Sequence, residues 1–178
     1  LIIFLFFLYS DFKHKNQLKI ADKFNEITTS YDNKKNENIV QDLTSIIYKK
    51  DKTYSPLALN FLIDNKIVND KEKINKFFDI IINEIKHEKE IKNLITYKQA
   101  LYNAESSTEN NLLKILNPIL NSDSIWKSHS LYLMAEYFYS KNEKEKSKEF
   151  LNRIIELDDP NPNIKIEAQK RIRRDFSD

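Results

Sequence analysis

The stretch "SHSLYLMAEYFYSKNEKEKSKEFLNRIIELDDP", residues 128 to 160, divides into two amphipathic halves around a short charged break. In the first half Leu131, Met134, Ala135 and Phe138 recur at i, i+3, i+4 and i+7, one stripe of a 3.6-residue helix. Ser140, Lys141 and Asn142 follow, and asparagine tolerates the left-handed turn that usually falls to glycine. The second half places Ser147, Leu151, Ile154 and Ile155 on one face, and Pro160 stops it after Leu157, Asp158 and Asp159. Two helices of about 14 residues joined by so short a break make an antiparallel helical hairpin.

The order of large and small residues in this hairpin resembles a tetratricopeptide repeat, in which small side chains let the two helices approach closely. Ala135 stands at the small position of the first helix and Phe138 at its aromatic. Asn142 replaces the turn glycine, Ser147 the second-helix alanine, Leu131 the usual tryptophan, and Pro160 the terminal proline, one residue late. The pattern recurs. Stepping 34 residues upstream from Leu131 reaches Tyr97, Ala100, Leu101 and Ala104, with Leu113, Leu116 and Leu120 as the second helix. Ala58, Phe61 and Leu62 pair with Ile74, Phe78 and Ile81 one unit earlier, and Ala21, Phe24 and Thr28 with Ile39, Leu43 and Ile46 before that. Ile164, Ile166, Ala168 and Ile172 form a last short helix, polar outside, that caps the series. The expected fold class is therefore all-α: a tetratricopeptide-like helical-hairpin solenoid of about four hairpins plus a capping helix.

Composition agrees with one helical domain. The chain has 178 residues, 40% of them hydrophobic, enough for a core, and shows no strand signal. Charged residues make up 31% and nearly cancel at +2, so no global field recruits nucleic acid. Glycine is absent while Lys, Asn, Ile, Phe and Tyr abound, which fits an AT-rich genome as well as any demand of the fold. With no cysteine, disulfides and thiol nucleophiles are excluded.

The start of the chain, "LIIFLFFLYS", is apolar for eight residues and ends near Tyr9, a residue type favoured at membrane interfaces. Ten helical residues span about 15 Å, half of a hydrocarbon core of about 30 Å. The chain begins at Leu1 and not Met, and the expectation is a truncated transmembrane anchor over residues 1–12 with the repeat domain over 13–178. Two alternatives remain open: a signal-peptide apolar region, although no small-x-small cleavage pattern follows, and a buried core helix. Lys13, His14, Lys15 and Lys19 would favour a cytoplasmic domain, but the upstream flank needed for that comparison is absent.

A more specific likeness lies in "LLKILNPILNSDSIWKSHSLYLMAEYFYSKNEKEKSKEFLNRII", residues 112 to 155. Its leucine-rich helix, proline, Ser-Asp-Ser-x-Trp turn and hairpin are similar to the bacterial family that includes the ancillary Sec translocon subunit and shares a repeat domain with a cell-division coordinator. The resemblance covers about residues 95 to 175. It implies a single-pass bacterial inner-membrane protein with periplasmic repeats, a membrane-anchored protein–protein interaction scaffold assisting proteins at or near the Sec translocon. The alternative function is a soluble secreted or periplasmic helical-repeat protein in envelope or polysaccharide assembly.

Within this segment Pro118 removes a backbone donor and crowds the preceding turn, so a kink or break is expected near Leu116 and Asn117. It either shapes a concave surface or is simply tolerated. Ser122, Asp123 and Ser124 offer helix N-caps, and Trp126 is expected to pack that cap on the preceding hairpin rather than bind a ligand.

Catalysis finds little support. His14, His87 and His129 are isolated, and Glu84 with His87 has metal-ligand spacing but no second copy, which reads as a charged solvent face. Glycine-dependent phosphate loops and nucleophile elbows are impossible here. Arg171, Arg173 and Arg174 make a basic run on the last helix, read as a soluble helix terminus rather than a phosphate site. No enzyme activity, cofactor, metal or small-molecule substrate is expected. The expected partners are proteins, which the resemblance implies are Sec components or translocating chains, and the membrane through the N-terminal helix. Partner-binding candidates lie off the buried stripes of the first helices: Lys98 and Tyr102 in the third hairpin, Tyr132 and Glu136 in the fourth. Tyrosine supplies large contact area at small entropic cost; the competing role for Tyr102 and Tyr132 is packing between hairpins.

Overall fold

Turn chemistry sets the helix boundaries. In a computed structural model, which describes residues 2–31 and 38–176, the described residues form nine α-helices and no strand. They fall into two compact units, Leu1–His87 and Glu88–Asp178.

The first unit contains α1 (Ile2–Thr29), α2 (Ile39–Tyr48), α3 (Tyr54–Asp64) and α4 (Lys71–Glu84). The apolar positions anticipated for α2, α3 and α4 are its core: Leu43, Ile46, Ala58, Leu62, Ile74, Phe78 and Ile81 are all at most 1% exposed. Phe24 of α1 packs tilted on Tyr54 and edge-on to Phe61, which Tyr31 meets from another side. The α2–α3 turn is closed by polar atoms. Asp51 accepts from the N–H groups of Thr53 and Tyr54, and the fully buried Ser55 donates its hydroxyl to the carbonyls of Ile46 and Ile47. Those two carbonyls belong to the last turn of α2 and also accept from the N–H groups of Lys49 and Lys50, so the helix end is held from both sides. At the start of α4, Asp70 accepts from Lys73 N–H at 3.0 Å, the standard N-cap bond.

The second unit contains α5 (Lys89–Asn103), α6 (Glu109–Leu120), α7 (Lys127–Ser140), α8 (Lys144–Ile155) and α9 (Pro162–Asp175). Its core runs through Ala100, Leu112, Leu116, Ile119, Leu131, Met134, Ala135, Phe138, Leu151, Ile154 and Ala168. Helices α7 and α8 form the most extensive pairing, the hairpin of residues 128 to 160. Both small residues assigned to its interior are buried, Ala135 at 0% and Ser147 at 1% exposure. Asn142 adopts φ 62°, and Glu143 N–H reaches back to the Phe138 carbonyl, which completes a Schellman turn. Without glycine the chain also places lysine in this region, at Lys50 (φ 54°) and Lys66 (φ 51°). Each carries a Cβ penalty of about 1–2 kcal/mol that glycine would lack.

Three expectations are corrected here. Helix α6 continues unbroken through Pro118 to Leu120, because Ile119 and Leu120 beyond the proline are buried and hold the last turn in the core. Ser122, Asp123 and Ser124 do not cap α7, whose N-cap position is Trp126 without a side-chain cap; Ser124 accepts from Trp126 N–H one step before the helix. Third, no helix among the described residues is long and apolar enough to cross a membrane. Helix α1 has the length, at 28 residues, but its apolar run ends before Asp11, and Lys13, Lys15, Lys19, Asp22, Lys23 and Glu26 fill the remainder. The expected single-pass placement in a bacterial inner membrane with periplasmic repeats is therefore withdrawn. Within that first stretch Ile3, Phe4, Leu5, Phe7 and Leu8 are exposed, while the Tyr9 side chain, read as interfacial, lies outside the described residues.

Candidate functional site

Helices α5, α7 and α9 are the first helices of successive hairpins and the cap, and side chains tie their starts together. The Glu90 carboxylate in the first turn of α5 accepts from Ser124 Oγ at 2.7 Å and from Ile125 N–H at 3.2 Å, just ahead of α7. Lys89 pairs with Asp123 beside them, raising the lysine pKa and holding the Asp123 carboxyl below the ordinary range. One step along, Ser128 Oγ accepts from Asn161 N–H at 3.0 Å, at the start of α9. Asn161 in turn caps that helix by accepting from Asn163 and Ile164. These contacts join residues 33 to 35 apart in sequence.

Trp126 meets the preceding hairpin as anticipated. Its ring stacks on Tyr97 of α5 with centroids 5.9 Å apart, and both rings flank His129. Burial raises the Tyr97 pKa and lowers that of His129, since each charged form would lose its hydration. A hydrogen bond to the Ile125 backbone favours the charged ring, but burial outweighs it. A histidine held neutral by the fold makes the unfolded chain bind more protons, so stability is full above its ordinary pKa of 6.5 and falls as pH drops through the lowered value. The melting temperature at pH 5.5 is expected below that at pH 7.5, and His129→Phe should flatten this difference. An unchanged slope in that variant would assign the effect to another group.

The four partner-binding candidates are half-buried rather than projecting freely: Lys98 and Tyr102 on α5, Tyr132 and Glu136 on α7. Tyr132 and Glu136 are drawn together by α9. Arg171, only 7% exposed, places Nη1 2.5 Å from Glu136 Oε1 and Nε 2.6 Å from Asp175 Oδ2. Its guanidinium lies 4.7 Å from the centre of the Tyr139 ring. Arg174 binds Asp175 from the solvent side through Nε and Nη2. Desolvation works against the Arg171 charge, yet the hydrogen bonds to Glu136 and Asp175 outweigh it and its pKa rises. Asp175 is held down to about 2, first by Arg174 and then by Arg171. Tyr132 is raised, mainly by burial and then by the Glu136 charge.

This clasp was not foreseen, and it changes the meaning of the basic run at 171 to 174. Arg171 is buried and paired and Arg174 is engaged by Asp175, so these two cations already have anionic partners. The only local signal was Arg171 and Asp175 at i, i+4; Glu136 lies 35 residues upstream, beyond any helix spacing. Chemically the clasp offers neither nucleophile nor free base. Glu84, half of the weak metal pair, is bound to Lys50 at 2.6 Å. Among the described residues no three His, Cys, Asp or Glu side chains are grouped to hold a metal. The chain matches no protein-family profile, no curated protein and no solved structure.

Proposed function

We propose that this chain is a protein–protein interaction scaffold, a tetratricopeptide-like array whose first helices present a binding face. The observation that carries the reading is the register of α5, α7 and α9, tied start to start at intervals of 33 to 35 residues. Helices held in that way repeat their exposed positions at a fixed step, which suits an extended segment of a partner. Lys98 and Tyr102 on one helix and Tyr132 and Glu136 on the next lie along that face, with Glu136 held in place by Arg171. The likeness of residues 112 to 155 to the ancillary Sec translocon subunit supports a partner at or near the translocon, either a Sec component or a chain passing through it. No catalytic step is assigned.

A benzophenone amino acid placed in cells at Lys98 or at Tyr132 should form adducts with such a partner. The same probe at Glu149, exposed on the second helix of the last hairpin, should give several-fold less. Equal capture at the three positions would remove the binding face, and adducts with proteins unrelated to secretion would remove the translocon assignment while leaving the scaffold.

A further inference from the structure

Two loops of the second unit, α6–α7 and α8–α9, enclose a groove of about 490 Å³. Ile125, Leu157, Pro160 and Pro162 supply its apolar lining, and Ile125 is 67% exposed although a large aliphatic side chain gains most from burial. Asp123, Asp158 and Asp159 line it as well, against the single cation Lys127. Asp123 is already paired with Lys89 outside the groove. Neither Asp158 nor Asp159 has an ion pair among the described residues, and both are exposed. The groove therefore keeps an excess of negative charge next to an uncovered apolar floor. Its walls are fixed before any ligand arrives: Glu90 holds Ser124 and Ile125 on one side, and Ser128 holds Asn161 on the other. A wall that is already ordered loses little entropy on binding.

We infer that this groove docks a partner segment that carries an aliphatic side chain flanked by lysine or arginine. The volume falls in the range of sites that enclose a few side chains. The aliphatic group covers Ile125 and Leu157, and the flanking cation meets Asp158 and Asp159. A bound metal ion fits worse, since no ligand triad converges there among the described residues. The site goes beyond the helical face proposed above and shares no residue with Lys98, Tyr102, Tyr132 or Glu136, so either can fail without the other.

Trp126, the one tryptophan of the chain, stands between the lining residues Ile125 and Lys127 in sequence and serves as the fluorescent probe, with calorimetry as the independent readout. The probe is the peptide acetyl-KLKIK-amide, titrated into the full chain by tryptophan fluorescence and by calorimetry, with acetyl-ELEIE-amide as its charge-reversed counterpart. The expected result is saturable binding of the cationic peptide alone. Asp158→Asn combined with Asp159→Asn should weaken it several-fold, Ile125→Ser should weaken it also, and the melting temperature of the double variant should stay that of the parent. Binding of the acidic peptide with similar affinity, undiminished binding to the double variant, or no saturable binding of the cationic peptide would each overturn the assignment.

Discussion

Exchange of Arg171 for methionine is expected to destabilise the second unit by about 2–3 kcal/mol, below the 3–5 kcal/mol typical of breaking a fully buried pair. Methionine keeps much of the arginine stem's volume, so the loss is electrostatic rather than a cavity. Two anions each lose a contact. Asp175 retains Arg174, but Glu136 is left beside a half-buried tyrosine with its side chain 40% exposed, and that access to water is why the estimate is reduced. The control is Arg171→Met with Glu136→Gln, which removes both charges; it should recover part of the loss, because an uncompensated carboxylate costs more than an absent pair. Urea melts followed by Trp126 fluorescence report on this unit, and a single variant as stable as the parent would reduce the clasp to a surface ornament.

The second large effect belongs to the α7–α8 hairpin. Ala135 is fully buried on α7 and Ser147 nearly so on α8, in the most intimate helix pair of the molecule. Ala135→Leu adds three carbon atoms where the helices leave no room, and overpacking of this kind costs about 1–3 kcal/mol. Ala135→Ser, close in size, should cost less despite its hydroxyl. If the leucine variant melts with the parent in urea, the small residue is not a close-approach point and the hairpin reading of residues 128 to 160 loses its main support.

Much of the helical layout was legible because it depends on local periodicity and turn chemistry. Leu131, Met134, Ala135 and Phe138 announce a buried stripe by spacing alone, and Asn142 announces a left-handed turn by residue type. Trp126 was placed correctly for a general reason: a large aromatic beside a helix start buries more area than any neighbour and so packs inward. Arg171 shows where legibility ends. Its burial requires Glu136, Tyr139 and Asp175 to converge from two helices, and no pattern along one helix encodes that meeting. Lys50 and Lys66 escaped notice for the opposite reason, since lysine gives no sign that it will adopt a positive φ. The single-pass placement fails because α1 is apolar only over its first residues and carries charge from Asp11 onward, so no described helix is apolar enough over a sufficient length to cross a membrane.

The ties between helix starts also bear on how the chain acquires its structure. Glu90 must wait for Ser124, Ser128 for Asn161, and Glu109 for Lys146, so these bonds close loops of 34, 33 and 37 residues. Loop closure of that size adds little entropic resistance, and folding dominated by such short separations is fast. On a ribosome each tie completes as soon as one more hairpin has left the exit tunnel, with no need for the far end of the unit. Synthesis and folding can then advance in step, and Leu131, Met134 and the other core side chains of the newest hairpin stay uncovered only for the time needed to translate the next one.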